Sequence, residues 1–291
     1  MRTLVSPGAL RSRRGKLVYG VVFGCTLVVF ILAFLFPLYW AVTGAMKSPQ
    51  ELAHTPATLI PQEWHPETFA DAWQQMNLGK YFLNTLIVAG GAWLAQLAID
   101  VPAAFALSKL RPKFGNIVLA LMLATLMLPA TALLVPTYVT VTDLPLLHLN
   151  LINSPTAVWL PAAANAFNIY LLKRFFDQIP DELIEAARMD GAGEGRIFVS
   201  IVLPLLKPVV VTLAVLTFLG AWNDFMWPLI VLTDREMQTL PVMLASLSRE
   251  HVQDSELMMA GAVVTVLPVL ALFLVLQRYY LQGLTMGGVK Q

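Results

Sequence analysis

Between Leu17 and Met46 the chain carries no charged side chain, a run of thirty residues bounded by Lys16 and Lys47. A helix rises about 1.5 Å per residue, and a bilayer core takes roughly 20 apolar residues to cross. Such a run has no place on the surface of a soluble fold, and it recurs along the sequence. Six segments qualify as crossings, at 18–45, 81–107, 116–139, 156–173, 209–232 and 257–279. The second carries Asp100 toward its end, and the fourth is short and contains Pro161, Asn165 and Asn168. The expected fold is therefore all-α, a polytopic membrane protein with six transmembrane helices. Hydrophobic residues form 57% of the chain and charged residues 13%, against roughly 45–50% and 25% in ordinary soluble domains.

Charge placement sets the expected orientation. With the amino terminus inside, the cytoplasmic face receives Arg2, Arg11, Arg13, Arg14 and Lys16, then Lys109, Arg111 and Lys113. It also takes Lys173, Arg174, Arg188, Arg196 and Lys207, and finally Arg278 and Lys290. Fifteen of the 19 lysines and arginines thus lie inside, and only Lys47, Lys80, Arg235 and Arg249 outside. That bias follows the positive-inside rule and needs an even number of crossings, so both termini are expected in the cytoplasm. A basic start before an apolar run also fits a secretory signal. Here the run far exceeds an h-region and no small-x-small site ends it, so an uncleaved first crossing is expected. A net charge of +1 gives no reason to expect a nucleic-acid partner. The single cysteine, Cys25, cannot form an internal disulfide and is expected as a small buried apolar residue.

The outer loops have character of their own. Residues 47–80 hold Trp64 and Trp73 with Pro56, Pro61 and Pro66, which suits an ordered cap with aromatics at the lipid interface. The loop at 140–155 is rich in leucine, too apolar for free solvent, and is expected to fold back as a short interfacial helix or re-entrant turn. His54, His65, His148 and His251 all fall on the outer side, too widely spaced in sequence to support a metal site.

One cytoplasmic segment interrupts the apolar pattern. Pro180 followed by Asp181 and Glu182 predicts a helix start, because proline suits the first turn and acids suit the positive end of the dipole. Leu183, Ile184 and Ala187 form a short apolar stripe, and Glu185 and Arg188 are spaced to pair. Gly191 and Gly193 stop this helix, Glu194 opens a second, and Pro204 is expected to end it. The product is a helix-turn-helix knob suited to docking, with Glu185 and Asp190 available for charge-assisted bonds. An ordinary solvated hairpin between two crossings is the alternative. The stretch Gly191-Ala192-Gly193-Glu194-Gly195 lacks the Lys-Ser/Thr of a P-loop and follows no strand, so no nucleotide site is expected on this chain.

The spacing Glu185-Ala186-Ala187, three residues, Gly191, nine residues, Ile201-x-Leu203-Pro204 resembles the cytoplasmic EAA loop of ABC importer permeases. Ala221-Trp222-Asn223-Asp224-Phe225-Met226-Trp227-Pro228-Leu229 looks like the Trp-Asn-x-Phe-x-Trp-Pro-Leu pattern of the carbohydrate permeases in the maltose-type family. Ala104-Phe105-Ala106-Leu107, Leu128-Pro129 with Pro136, and Gly283-Leu284-Thr285-x-Gly287-Gly288-Val289-Lys290 are similar to that family's second permease subunit. The match covers about residues 81–291. It implies a type I importer permease in the cytoplasmic membrane of a bacterium or archaeon, paired with a second permease, an ABC ATPase dimer and an external solute-binding protein, and carrying a carbohydrate. It also implies no catalysis and no cofactor on this chain, ATP and Mg²⁺ being used by the ATPase. The docking residues carried over are Glu185, Ala186, Ala187, Asp190, Gly191, Ile201, Leu203 and Pro204. The expected division is a basic amino terminus at 1–17, the first helix and external loop at 18–80, the importer domain at 81–279 with its coupling loop at 174–208, and a tail at 280–291.

Polar residues within the crossings are the other candidates. A carboxylate at bilayer centre costs roughly 2.5–3.5 kcal/mol, so Asp224 should face protein or water. With Trp222, Asn223 and Trp227 it suits either a sugar-binding wall or a structural cluster bonded to a neighbouring helix. Asn165 and Asn168 either line a pathway or bridge helices, and Asp100 is expected to be structural. A secondary transporter would be expected to carry acid or base relays and inverted repeats; only Asp100 and Asp224 lie within crossings, and no internal repeat stands out. An ABC permease for another solute, such as a glycerol phosphate or polyol, stays open, though no intramembrane arginine cluster favours an anion. No metal-ligand or nucleophile constellation at one depth supports a membrane enzyme.

Overall fold

The computed structural model describes residues 13–250 and 254–288, all of whose regular structure is helical. The expectations on Arg2, Arg11, His251 and Lys290 lie outside those residues. Two compact units are formed, residues 1–76 with 251–263, and residues 77–250 with 264–291.

The first unit begins with α1 (Arg13–Ala45), a 33-residue helix with Pro37 inside it. It is apolar on every side, and its most apolar stretch is not buried by the chain at all. Cys25, expected to be buried, is exposed there. A helix apolar all round belongs in hydrocarbon, so its environment is lipid or another subunit rather than its own core. After it, Ser48 caps α2 (Pro49–Ala53), its hydroxyl accepting from the Glu51 amide at 3.2 Å. Lys47 is buried: its ammonium donates to the Thr58 carbonyl and sits 4.6 Å over the Trp40 ring. Both Glu51 oxygens accept from the Gln62 amide at 3.1 Å, so the expected cap is an ordered one. It ends in α3 (Thr68–Gln75).

The second unit is organised on α4 (Leu78–Phe105), which a π-helical turn extends from Ala106 to Leu110. Next come α5 (Gly115–Thr125) and α6 (Ala130–Thr142), bent by 108° to each other. The crossing expected as one piece at 116–139 is therefore broken. Pro129 donates no amide hydrogen, and it disfavours helix at Leu128 before it. At 143–155, of the two forms expected, a short helix or a turn folding back, no helix forms and the segment folds back in turns. Leu146 and His148 take positive φ in a tight turn, and the segment is tied down by amides of Leu151 to Val141 and Asn153 to Val231, both at 2.9 Å. Ile152 packs against the buried Val141, Val231 and Leu232, while Leu146 stays exposed.

The fourth expected crossing is also divided, into α7 (Thr156–Ala162) and α8 (Ala166–Phe176), with Asn165 capping the second. Two short helices follow, α9 (Asp181–Met189) and α10 (Glu194–Ile197). A π-helical turn at Phe198–Val202 then leads into α11 (Leu203–Leu205), so Pro204 does not end the second helix as expected. The π turn shifts the bonding phase and makes Pro204 an early residue of a new turn, where its missing N–H breaks nothing. The fifth expected crossing divides at Asn223–Phe225 into α12 (Lys207–Trp222) and α13 (Met226–Val231). Then α14 (Leu240–Glu250) precedes α15 (Ser255–Gly288), which stays helical past the boundary expected at 279.

Three described helices are long and apolar enough to cross a membrane, or up to five if each bent pair is one crossing. In the second such pair the first arm is Glu194–Leu205, which belongs to the polar knob; α12 is the arm suited to lipid.

Several hydrophobic clusters fix α4 in its unit, one of them joining its Val88 and Ala92 to Ala157 and Val158 of α7. Toward its carboxyl end, Val101, Ala104 and Phe105 meet Leu172 and Phe176 of α8, Ile184 of α9, Ile197 of α10 and Val209 of α12. Farther along, Phe82, Ala89 and Trp93 pack against Phe218 and Trp222, with Val269 and Leu272 of α15 closing the cluster. At Gly91 the backbone comes so close to α7 that a Cβ would sit 2.1 Å from the Trp159 ring, whose indole donates to the Val88 carbonyl at 2.9 Å. Gly91→Ala is accordingly expected to push α7 off α4 and destabilise the subunit by about 1–3 kcal/mol, as overpacked cores do. Thermal unfolding of the detergent-purified protein measures it; an unchanged midpoint would refute the close approach.

Candidate functional site: a helical knob and a polar cleft

Gly191 closes the first helix of the knob. It takes φ +81°, a conformation that costs a side chain about 1–2 kcal/mol. Its amide donates to Arg188 O at 3.0 Å and that of Ala192 to Ala187 O at 2.9 Å. These two bonds form a Schellman motif, satisfying carbonyls the helix end would leave open. Arg188 does not pair with Glu185 as its spacing suggested. It reaches across the turn to Glu194 at 2.8 Å, closing α9 onto α10, and that bond raises the guanidinium above its ordinary value.

The candidate docking residues divide by exposure. Ala187 is buried against the α4 and α8 core, and Ile201 and Leu203 are half-buried beside it. Glu185, Ala186, Asp190, Gly191 and Pro204 are exposed on one hairpin, joined by Met189, which is 88% exposed. The outward surface thus offers two acids, small residues and one flexible thioether, and the turn lacks any side chain that would hold a partner away.

In the membrane part, Asp100 is fully buried. One carboxylate oxygen accepts from the Asn165 amide at 2.9 Å and the other from Asn168 Nδ2 at 3.0 Å. Asn165 Oδ1 in turn accepts from the Asn168 amide at 3.1 Å, capping α8. Asn165 and Asn168 therefore do bridge helices, with Asp100 as the acceptor on α4. The sequence shows all three residues but not this pairing, because 65 positions separate Asp100 from Asn165.

Beside the bridge opens a cleft of about 410 Å³, to which α4, α8 and α12 contribute. Asn165, Asn168 and Asp224 all line it, together with Gln96 and Thr217, which were not singled out from sequence. No lysine or arginine lies on its wall. The other three candidates sit elsewhere. Trp222 is buried, stacked near Phe218, with its indole donating to Thr265 O at 3.1 Å. Trp227 donates to Ala157 O at 3.0 Å, and Asn223 is exposed with its amide turned onto Leu219 O at 2.9 Å. Among the described residues no cluster of three or more metal-ligating side chains occurs.

A helical membrane chain with an Asp100-pinned broken helix and a closed polar hairpin matches a known architecture. Residues 100–285 fit the family model described as binding-protein-dependent transport system inner membrane component. The chain belongs to that family. The permease is 33% identical over 257 residues to the melibiose/raffinose/stachyose import permease protein MelC of Bacillus subtilis, covering 87% of this chain and 91% of that one. It is 33% identical over 270 residues to the arabinooligosaccharides transport system permease protein AraQ of Halalkalibacterium halodurans, at 92% and 94% coverage. To the sn-glycerol-3-phosphate transport system permease protein UgpE of Pectobacterium atrosepticum it is 32% identical over 283 residues, at 94% and 98%. Its fold is shared with a chain from the crystal structure of a bacterial ABC transporter involved in the import of the acidic polysaccharide alginate, with a TM-score of 0.78, 24% identity, and 92% and 98% coverage.

The buried bridge carries a prediction of its own. Asp100→Leu leaves the Asn165 and Asn168 donors without an acceptor, at about 1–3 kcal/mol for each. Asp100→Asn keeps one acceptor oxygen and is expected to lose less. Thermal midpoints of the two purified variants should rank in that order below the parent.

Proposed function

We propose that this permease is one of two membrane subunits of an ATP-driven importer for a carbohydrate, an oligosaccharide or related sugar. The observation that carries this reading is the similarity, along nine-tenths of the chain, to two relatives named for oligosaccharide import. The cleft supports it physically. Asn, Gln, Thr and Asp side chains match a ligand rich in hydroxyl groups, while the lack of any cation on the wall disfavours a phosphate ester. Similarity to UgpE keeps a glycerol phosphate as the second reading.

In this scheme both termini lie in the cytoplasm and six segments cross the membrane, three of them as bent or broken helices. The importer domain takes residues 81–279, with the loop at 174–208 projecting inward as the coupling element. The knob docks on an ABC ATPase dimer, a second permease completes the pathway, and an external solute-binding protein delivers the cargo. The chain itself performs no catalysis and binds no cofactor; ATP and Mg²⁺ act on the ATPase. Docking must favour one state of the permease over another, since equal affinity for both would shift nothing.

Two experiments test this reading in proteoliposomes holding all subunits. Gly191→Trp, which strains the left-handed turn and fills the approach, and Glu185→Lys, which reverses a docking charge, are each expected to lower ATPase co-purification and sugar uptake by about tenfold, equivalent to roughly 1.4 kcal/mol. Normal uptake in both variants overturns the docking role. Asp224→Asn is expected to change uptake without changing subunit assembly, and a panel of neutral oligosaccharides against glycerol 3-phosphate decides between the two cargo readings.

A further inference from the structure

The knob is held to the membrane part by a second polar assembly. At the cytoplasmic end of α4, the Lys109 side chain is only 2% exposed. Its ammonium donates to Asp181 Oδ1 at 2.7 Å and to the Ile179 carbonyl at 2.6 Å, which fixes the first residue of α9 and the strap leading into it. Arg111, turned into position by a φ of +47°, adds a bond from its guanidinium to Asp181 Oδ2 at 2.8 Å. One turn back, the Ser108 hydroxyl donates to Asp177 Oδ1 at 2.6 Å, and Lys173 holds the other oxygen of that carboxylate at 2.9 Å.

Burial pushes the Asp177 carboxyl up, but the Ser108 hydroxyl, with Lys173 and the nearby charge of Lys109, outweighs it and leaves it below the ordinary carboxylate range. The hydrogen bond and charge of Lys109, with Arg111 in support, hold Asp181 below that range too. Both acids are therefore ionised at neutral pH, and the pairing weakens only as pH falls through their lowered values.

The placement of these groups on α4 is what gives them meaning. Ser108 and Lys109 lie in its π-helical extension and Arg111 caps that turn, and π turns recur at functional sites. Asp100, two turns earlier on the same helix, grips the start of α8. Helix α8 is thus pinned at its first turn by Asp100 and at its last by Ser108, while Lys109 carries the grip over to α9.

We infer that Lys109, with Ser108 and Arg111, is a positioning clamp that makes α4, α8 and α9 one lever, so that displacement of the knob is delivered to the cleft-lining residues Asn165 and Asn168. The inference rests on the reading of the knob as the ATPase dock. With the clamp removed, the hairpin keeps its own Schellman cap and its Arg188–Glu194 bond, so it still docks. What is lost is the stiffness between dock and cleft: the ATPase turns over while solute stays behind.

The test uses the full importer in proteoliposomes and reads solute moved per ATP hydrolysed, alongside ATPase co-purification. Lys109→Met is expected to retain the ATPase and to lose about tenfold in solute per ATP, within the range of allosteric couplings. Lys109→Arg, which keeps a charged donor, is expected to recover most of it. In a Cys25→Ser background, Lys109→Cys with Asp181→Cys should be uncoupled when free and recoupled by a short bis-maleimide, because a covalent link replaces the ion pair. An unchanged ratio in Lys109→Met overturns the clamp, as does a Lys109→Cys/Asp181→Cys pair whose ratio does not recover on crosslinking. Gly191→Trp separates the two ideas. If it keeps both ATPase and uptake, the docking reading fails; if it loses the ATPase while Lys109→Met transports normally, only the clamp fails.

Discussion

Inside hydrocarbon a chain must satisfy its own backbone, and this one stops its helices in mid-course at several points. Each stop has a local answer. At Pro129 the missing donor is the proline's own. At Asn165 the freed amide finds the Asp100 carboxylate, and the Asn165 side chain caps the helix that follows. A buried carboxylate is a costly group to place in such a medium, yet Asp100 receives two donors and supplies what an unbroken helix would not have needed.

These compensated breaks divide the second unit into stiff pieces with defined joints. Helix α4 runs the length of that unit, with aromatic packing around Trp222 at one end and the core under the knob at the other. The cleft lies against its middle, where Gln96 projects, and is completed by the two helices whose starts or ends are breaks. Polar residues thus gather where backbone regularity is lost.

Much of this was legible in the sequence. The helix boundaries of the knob followed from Pro180, Gly191 and Glu194, because caps and turns are written in a few adjacent residues. The family followed from spacing within one loop and from the residues at 221–229. Long-range pairing was not legible: nothing near Lys109 announces Asp181, and nothing near Asp100 announces Asn165. Arg188 was misassigned for the same reason, since its spacing to Glu185 suits a lone helix, whereas the turn at Gly191 brings Glu194 within reach. Breaks inside apolar runs were also hidden, because composition measures how much of a segment favours lipid and says little about where it bends. Trp222 suited either a ligand-facing wall or a structural cluster, and its indole is engaged with Thr265.

The Schellman turn at Gly191 has one more consequence. Its two backbone bonds and the Arg188–Glu194 bridge close the hairpin before any partner arrives. A surface already ordered loses little conformational freedom on association, so a modest patch of small residues can hold a partner that a floppy loop of the same composition would release. It also means the hairpin can push as well as grip: an element that keeps its shape under load transmits direction, and the glycine that permits the turn is what makes the knob hard.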